Sequence, residues 1–438
     1  MHGSNRRADR EFLARTKLSR RRLAAVTAAV SLAALAGCGG SAGGSGGSVA
    51  SGKPIVIGVE GPLTGIYSEI GAGLRNGASA AAAEINAEGG VLGSKIQLVQ
   101  IDDADDPADA VTALDTAVAT NHIVALDGSE STVLPAIEPI VTQNQIPEMF
   151  QGGSTAFNTN TNKWVWRPSP SDSSLGVAMA AYALSQHYTR AAILFTQNAS
   201  AGTLSLQVKQ TFTQNGGTIV SNQLITPGAS SYASVVESVV AAHPQVIFTQ
   251  TDPTSAATIW KNFQQVDHLA IPFIGSDLTA GGDFISAVGA SVAQKSLLSV
   301  QGTTSAGPGV APFVKYYKQQ YHSMPISGAN YSYDSILELA MAIQEAGSTN
   351  GAKIDAAIAK VSNPPGIDVT TWSAALKDLK AHKKVHFVGA GGPAGFNKYH
   401  NSVGTFGAFR ANASGKLTLV GSLSVETLAK AAAGQLHP

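Results

Sequence analysis

From Pro54 onward the chain alternates short apolar runs with longer stretches whose apolar residues recur at three- and four-residue spacing. That is the pattern of buried strands followed by helices. PIVIGVEG (54–61), KIQLVQIDD (95–103) and HIVALDGS (122–129) read as strands, with GLRNGASAAAAEINAEGG (73–90) and PADAVTALDTAVA (107–119) as the helices between them. Pro107 suits a first helical turn, and the glycine pair at 89–90 is a helix stop. The grammar returns in RAAILFTQ (190–197), GTLSLQVKQTFTQNGG (202–217), TIVSNQLI (218–225), YASVVESVVAAH (232–243) and QVIFTQTD (245–252). Strands alternating with helices predict an α/β fold with parallel sheets, and two such runs predict two doubly wound, Rossmann-like lobes. The ligand edge of such a sheet lies at the carboxyl ends of its strands, so two facing edges would form a cleft.

The first 53 residues follow another pattern. Residues 1–37 hold eight basic groups and two acidic ones, then an apolar run from Leu23 to Ala36. Fourteen helical residues span about 21 Å, short for a membrane helix. A basic region, a short apolar region and small residues are the parts of an export signal. SRRRLA (19–24) leaves both the general and the twin-arginine export routes open. The four residues LAGC (35–38) resemble the lipobox of bacterial lipoproteins, which implies that Cys38, the only cysteine, carries a diacylglyceryl group. GGSAGGSGGSVASG (39–52) is then a flexible tether. The expected division is signal peptide 1–37, lipidated Cys38 and linker 38–53, and folded lobes thereafter. Removing residues 1–37 turns 29 basic and 29 acidic groups into 21 and 27, a net charge of −6 with His neutral. That balance argues against a nucleic-acid partner, which needs a basic surface.

The order of motifs resembles a known family. IGVEGPLTGIYSEIGAGLRNGASAAAAEINAEGGVLGSKIQLVQIDDADDPADAV (57–111), VWRPSPSDSSLG (165–176) and VGAGGPAGFN (388–397) are similar to segments of the leucine/isoleucine/valine-type extracellular solute-binding proteins. The resemblance implies the type I periplasmic-binding fold, with a three-segment hinge near Pro168–Ser171, Gly302–Gly307 and Gly395–Asn397. Lobe 1 would comprise 54–170 and 302–395, and lobe 2 171–301 and 396–428. It further implies a small-molecule ligand, an amino acid of branched-chain type, handed to ABC permease subunits at the outer face of the membrane. A ligand-sensing receptor of the same fold, and a binder of amides, urea or small carboxylates, remain alternatives.

Residue by residue, the resemblance nominates Ser131 and Thr132 in DGSESTVLP (127–135), and Gly153 and Ser154 in QGGSTAF (151–157), as donors to a ligand carboxylate. Helix N-capping is the structural alternative for the serines. Asp277 in IPFIGSDLT (271–279) would meet the ligand ammonium, or else cap the following helix. Tyr67 and Tyr331 would be aromatic cleft walls, or ordinary packing. Ser200 stands where some members carry a tyrosine, and Glu130 brings a charge into a loop that is usually neutral, which leaves the ligand's side-chain class open.

No enzyme chemistry emerges. GAGLRNG (71–77) does not directly follow a strand, as a dinucleotide fingerprint requires. DDADDPAD (102–109) lacks the ligand alternation of a calcium loop and fits helix capping. No nucleophile elbow is evident, since GxSxG occurs only inside the Gly/Ser linker, at 39–43 and 43–47, and not at a strand-to-helix turn. No cofactor and no metal site is expected.

Overall fold

The computed structural model describes residues 52–198, 200–302, 307–402 and 404–436. Cys38 and the expected export signal lie outside them. Two separate sheets carry the fold. The first has five parallel strands, β1 (Ile55–Gly61), β2 (Ile96–Asp102), β3 (Ala125–Gly128), β4 (Glu148–Phe150) and β5 (Val165–Trp166), in the order β2-β1-β3-β4-β5. The second contains β6 (Arg190–Thr196), β7 (Thr218–Ile225), β8 (Val246–Gln250), β9 (Phe273–Gly275) and β10 (Leu297–Gln301), all parallel. Separate from both is a small sheet of β11 (Ile367–Val369), β12 (Val385–Gly389) and β13 (Gly392–Pro393). The chain then returns to the second sheet with the antiparallel strands β14 (Phe406–Ala411) and β15 (Leu417–Leu423), giving the order β15-β14-β10-β9-β8-β6-β7.

Each large sheet is buried on both faces, as helical crossovers between parallel strands require. One core of the first sheet joins Ile57 and Val59 to Ile336, Leu339 and Ile343 of the helix Ala329–Ala346. The other joins Leu126 and Phe150 to Leu134 and Ile137. The second sheet has Phe195 and Phe248 with Phe212 on one side, and Ile247 and Phe273 with Trp260 and Phe263 on the other.

The helix expected at 73–90 spans Ser68–Ala87. Its glycines are packing devices. A Cβ on Gly77 would lie 1.9 Å from the Ala329 carbonyl oxygen, and one on Gly73 2.2 Å from that of Ser327. The bare helix face lets segment 327–329 lie directly against it. The helix expected at 107–119 runs as an α-helix to Thr116 and then widens into a π turn, Ala117–Asn121.

The chain leaves the first sheet after β5 and enters the second through the helix Asp172–Ser185. The second passage follows β10 at Gly302 and lies partly outside the described residues. The third comes later than the expected Gly395–Asn397. Residues 396–402 still pack on lobe 1, where His400 stacks on Trp166 with ring centroids 3.6 Å apart. The Arg167 N–H donates to the His400 carbonyl at 2.8 Å. The passage therefore falls between Ser402 and Phe406, and the last helix of lobe 2 runs Val425–Ala432, past the expected limit of 428.

Candidate functional site

Strand after strand ends at the same place. Tyr67 follows β1, Asp105 follows β2, Glu130, Ser131 and Thr132 follow β3, and Gln151 and Gly153 follow β4. In lobe 2, Asn198 and Ser200 follow β6, Asp252 follows β8, Asp277 follows β9 and Gly302 follows β10. All of them line one cavity of about 180 Å³ between the lobes, room for on the order of ten water-sized molecules. The carboxyl ends of the two sheets thus meet, as doubly wound topology directs.

Seven of the eight nominated ligand residues line it: Ser131, Thr132, Gly153, Asp277, Tyr67, Tyr331 and Ser200. Ser154 does not. It is 5 % exposed, and its hydroxyl accepts from the Ala156 N–H at 3.4 Å, capping the short turn Thr155–Phe157. Its own N–H donates to the Ser131 hydroxyl oxygen at 3.0 Å, which leaves the Ser131 O–H available as a donor. The Tyr331 hydroxyl donates to the Gly302 carbonyl at 2.5 Å, so it ties the lobe passage. Ser200 Oγ receives the Gln250 side-chain amide at 2.9 Å.

Asp277 opens the turn Asp277–Ala280, and its carboxylate accepts from the Leu278 N–H at 3.0 Å. It does not cap the next helix, Gly282–Val288. That helix takes its carboxylate from lobe 1, because Glu69 accepts from the N–H groups of Gly282 at 2.5 Å and Asp283 at 2.9 Å. The acidic DDADDPAD segment behaves as capping predicts, with Asp106 accepting from the Ala108 and Asp109 N–H groups.

Residues that sequence reasoning missed change the electrostatics. Asp172 and Asp252 also line the cleft, buried to 6 % and 3 % exposure. Both stand at helix starts: Asp252 Oδ1 accepts from the Ser255 N–H at 2.8 Å, and Asp172 begins the first helix of lobe 2. The Asp172 N–H donates to the Gly153 carbonyl at 2.7 Å. Its carboxylate covers Gly153 so closely that a Cβ there would lie 2.3 Å from Oδ1. With Glu69, Asp105, Glu130 and Asp277 the wall holds six carboxylates, and among its described residues none is Lys, Arg or His.

Crowded carboxylates resist ionisation. Burial, then the charge of Asp277, pushes Asp172 up to about 7. Burial raises Glu130 well above the usual range, and Asp103, Asp105, Asp277 and Asp172 add to the effect. Burial also raises Asp277 and Asp105. Arg167 is buried behind the Gly153 loop, donating to the Ser154 carbonyl at 2.9 Å and to the Asn158 side chain at 2.5 Å. Burial lowers it to about 10, so it remains charged at neutral pH. The site offers hydroxyl and amide donors on the lobe 1 side and carboxylates from both lobes.

A sequence model described as periplasmic binding protein matches residues 54–416 of this chain. An amino acid binding protein of Pseudomonas aeruginosa is 26 % identical over 306 residues, covering 68 % of this chain and 80 % of that protein. The Leu/Ile/Val-binding protein BraC3 of Rhizobium johnstonii is 25 % identical over 353 residues, covering 76 % and 93 %. Among solved structures, the branched-chain amino acid transporter substrate binding protein LivJ of Streptococcus pneumoniae, in complex with isoleucine, superimposes with a TM-score of 0.71. It is 20 % identical and covers 84 % of this chain and 99 % of that one.

Proposed function

Because this chain belongs to the periplasmic binding protein family, we propose that it captures a small amine-bearing solute, an amino acid, between its lobes and delivers it to an ABC permease. The observation that carries this reading is Asp277 of lobe 2 on the same cavity wall as Ser131, Thr132 and Gly153 of lobe 1. A zwitterion has complementary ends. Its carboxylate takes the Ser131 and Thr132 hydroxyls and the Gly153 N–H, and its ammonium takes Asp277. A charge-assisted hydrogen bond of that kind is worth about 1.5–3 kcal/mol. Tyr67 and Tyr331 supply aromatic wall, and Ser200 a polar contact from lobe 2. The relatives that bind amino acids support the choice of ligand. Calorimetric titration of the folded chain with the standard amino acids, acetamide, urea and acetate tests it. Binding of amino acids in preference to the other three is expected. Binding of only an amide or a plain carboxylate would overturn the ammonium assignment.

The placement of the protein follows from its first residues. Export, lipidation of Cys38 and cleavage before it would leave the folded part tethered to the outer face of the membrane by residues 39–53. One acyl chain holds a protein only marginally, whereas two anchor it. The Cys38→Ala variant should be recovered free or unprocessed. Membrane-bound Cys38→Ala protein of unchanged mature mass would refute the anchor.

A further inference from the structure

The cleft contains more negative charge than one ammonium can use. Binding of an amine-bearing solute, the reading on which this inference rests, satisfies Asp277 and leaves five other carboxylates on the wall. Two of these stand apart. Asp172 and Asp252 are each more than nine-tenths buried, and in each the Oδ2 atom is closed off from solvent with no hydrogen-bond partner among the described residues. The Gln151 side-chain oxygen, on the same wall and equally buried, is a third unpartnered acceptor. Buried acceptors without donors are costly, and buried charges without counter-charges more so. An aliphatic side chain of the leucine class brings hydrocarbon to these oxygens and satisfies none of them.

We propose that the solute of this cleft carries a second positively charged nitrogen, as basic amino acids and diamines do, and that Asp172 and Asp252 of lobe 2 receive it. The complement is chemical as well as electrostatic. An ammonium brings three N–H donors and a guanidinium five, which suits a wall of six carboxylates with no Lys, Arg or His among its described residues. Ile70, Leu74 and Leu175 on the same wall suit the methylene stem of such a side chain. A bare metal ion fits less well: among the described residues no three His, Cys, Asp or Glu side chains converge as metal ligands. The burial that raises Asp172 acts in the same direction, because a bound cation restores the ionised form.

Three probes of one carbon skeleton test the proposal by calorimetry on the folded chain. L-Norleucine has the α-amino acid head and no second charge, L-lysine has both, and cadaverine has two ammonium groups and no carboxylate. Lysine or cadaverine should bind at least about tenfold tighter than norleucine, the scale of one charge-assisted hydrogen bond. Lysine ahead of cadaverine assigns the class of basic amino acids; cadaverine ahead of lysine assigns diamines. Asp172→Asn and Asp252→Asn should each weaken lysine or cadaverine at least about fivefold, and more than they weaken norleucine. Asn caps helices as well as Asp, and the melting temperature of each variant without solute reports whether it folds. Norleucine binding as tightly as both lysine and cadaverine would overturn the second positive charge and leave the amino-acid reading intact. Failure of all three probes and of the standard amino acids at millimolar concentration would overturn both.

Discussion

Glu69, in the first turn of a lobe 1 helix, accepts a hydrogen bond of 2.9 Å from the backbone N–H of Asp283 at the start of a lobe 2 helix. With the Gly282 N–H on its other oxygen, one carboxylate caps a helix across the cleft, where unpaired N–H groups and the helix dipole both favour a negative charge. The contact exists only while the lobes are together. Glu69→Ala should therefore shift the chain toward open forms and weaken solute binding severalfold, in proportion to the lost closed population. Small-angle scattering of the solute-free variant should give a larger radius of gyration than the parent. Identical curves and identical affinities would show that this contact does not hold the lobes.

Asp277 should be the costliest single charge to remove. Without it the ligand ammonium is enclosed with one counter-charge fewer, and at about 1.4 kcal/mol per factor of ten the expected loss is at least about a hundredfold. Titration of Asp277→Ala with the amino acid that binds the parent measures this. Near-parental affinity would move the ammonium to another carboxylate of the wall.

Stability should fall as pH rises. Burial pushes Asp127 and Asp334 up to about 7 and Glu148 and Glu338 up to about 8. The folded chain thus keeps protons that the unfolded chain releases near pH 4. Stability from these groups is complete below pH 4 and is lost progressively up to about pH 8. His400, lowered by burial, acts in the opposite sense but is one group against four. The melting temperature should be lower at pH 8 than at pH 5, and Glu338→Gln should reduce the difference. A melting temperature that rises across this interval would contradict the assignment.

Gly77→Ala should destabilise lobe 1. The added methyl meets a backbone carbonyl at 1.9 Å, which only a shift of helix or segment can relieve, at about 1–3 kcal/mol. Scanning calorimetry should show a melting temperature lower by a few degrees. An unchanged value would mean that segment 327–329 moves at no cost.

Local periodicity and punctuation determined much of this protein. The strands β1, β2, β6 and β7 fall within a residue or two of their expected ends, because short apolar runs and flanking turn residues are local properties. The loops holding Ser131, Gly153 and Asp277 were also legible, since parallel topology places every such loop at one sheet edge. Tertiary structure alone decided which of the loop side chains face the cleft. Ser154 turns away to cap its own turn, while Asp172 and Asp252, neither of them singled out from the sequence, stand at helix starts on the wall. In a parallel α/β sheet the helix N-terminus and the ligand edge coincide, so a capping carboxylate and a ligand-facing one share the same sequence signature. Glu69 and Asp283 are 214 residues apart in the chain. No local pattern relates them, and only the meeting of two independently formed sheets brings the carboxylate to its helix.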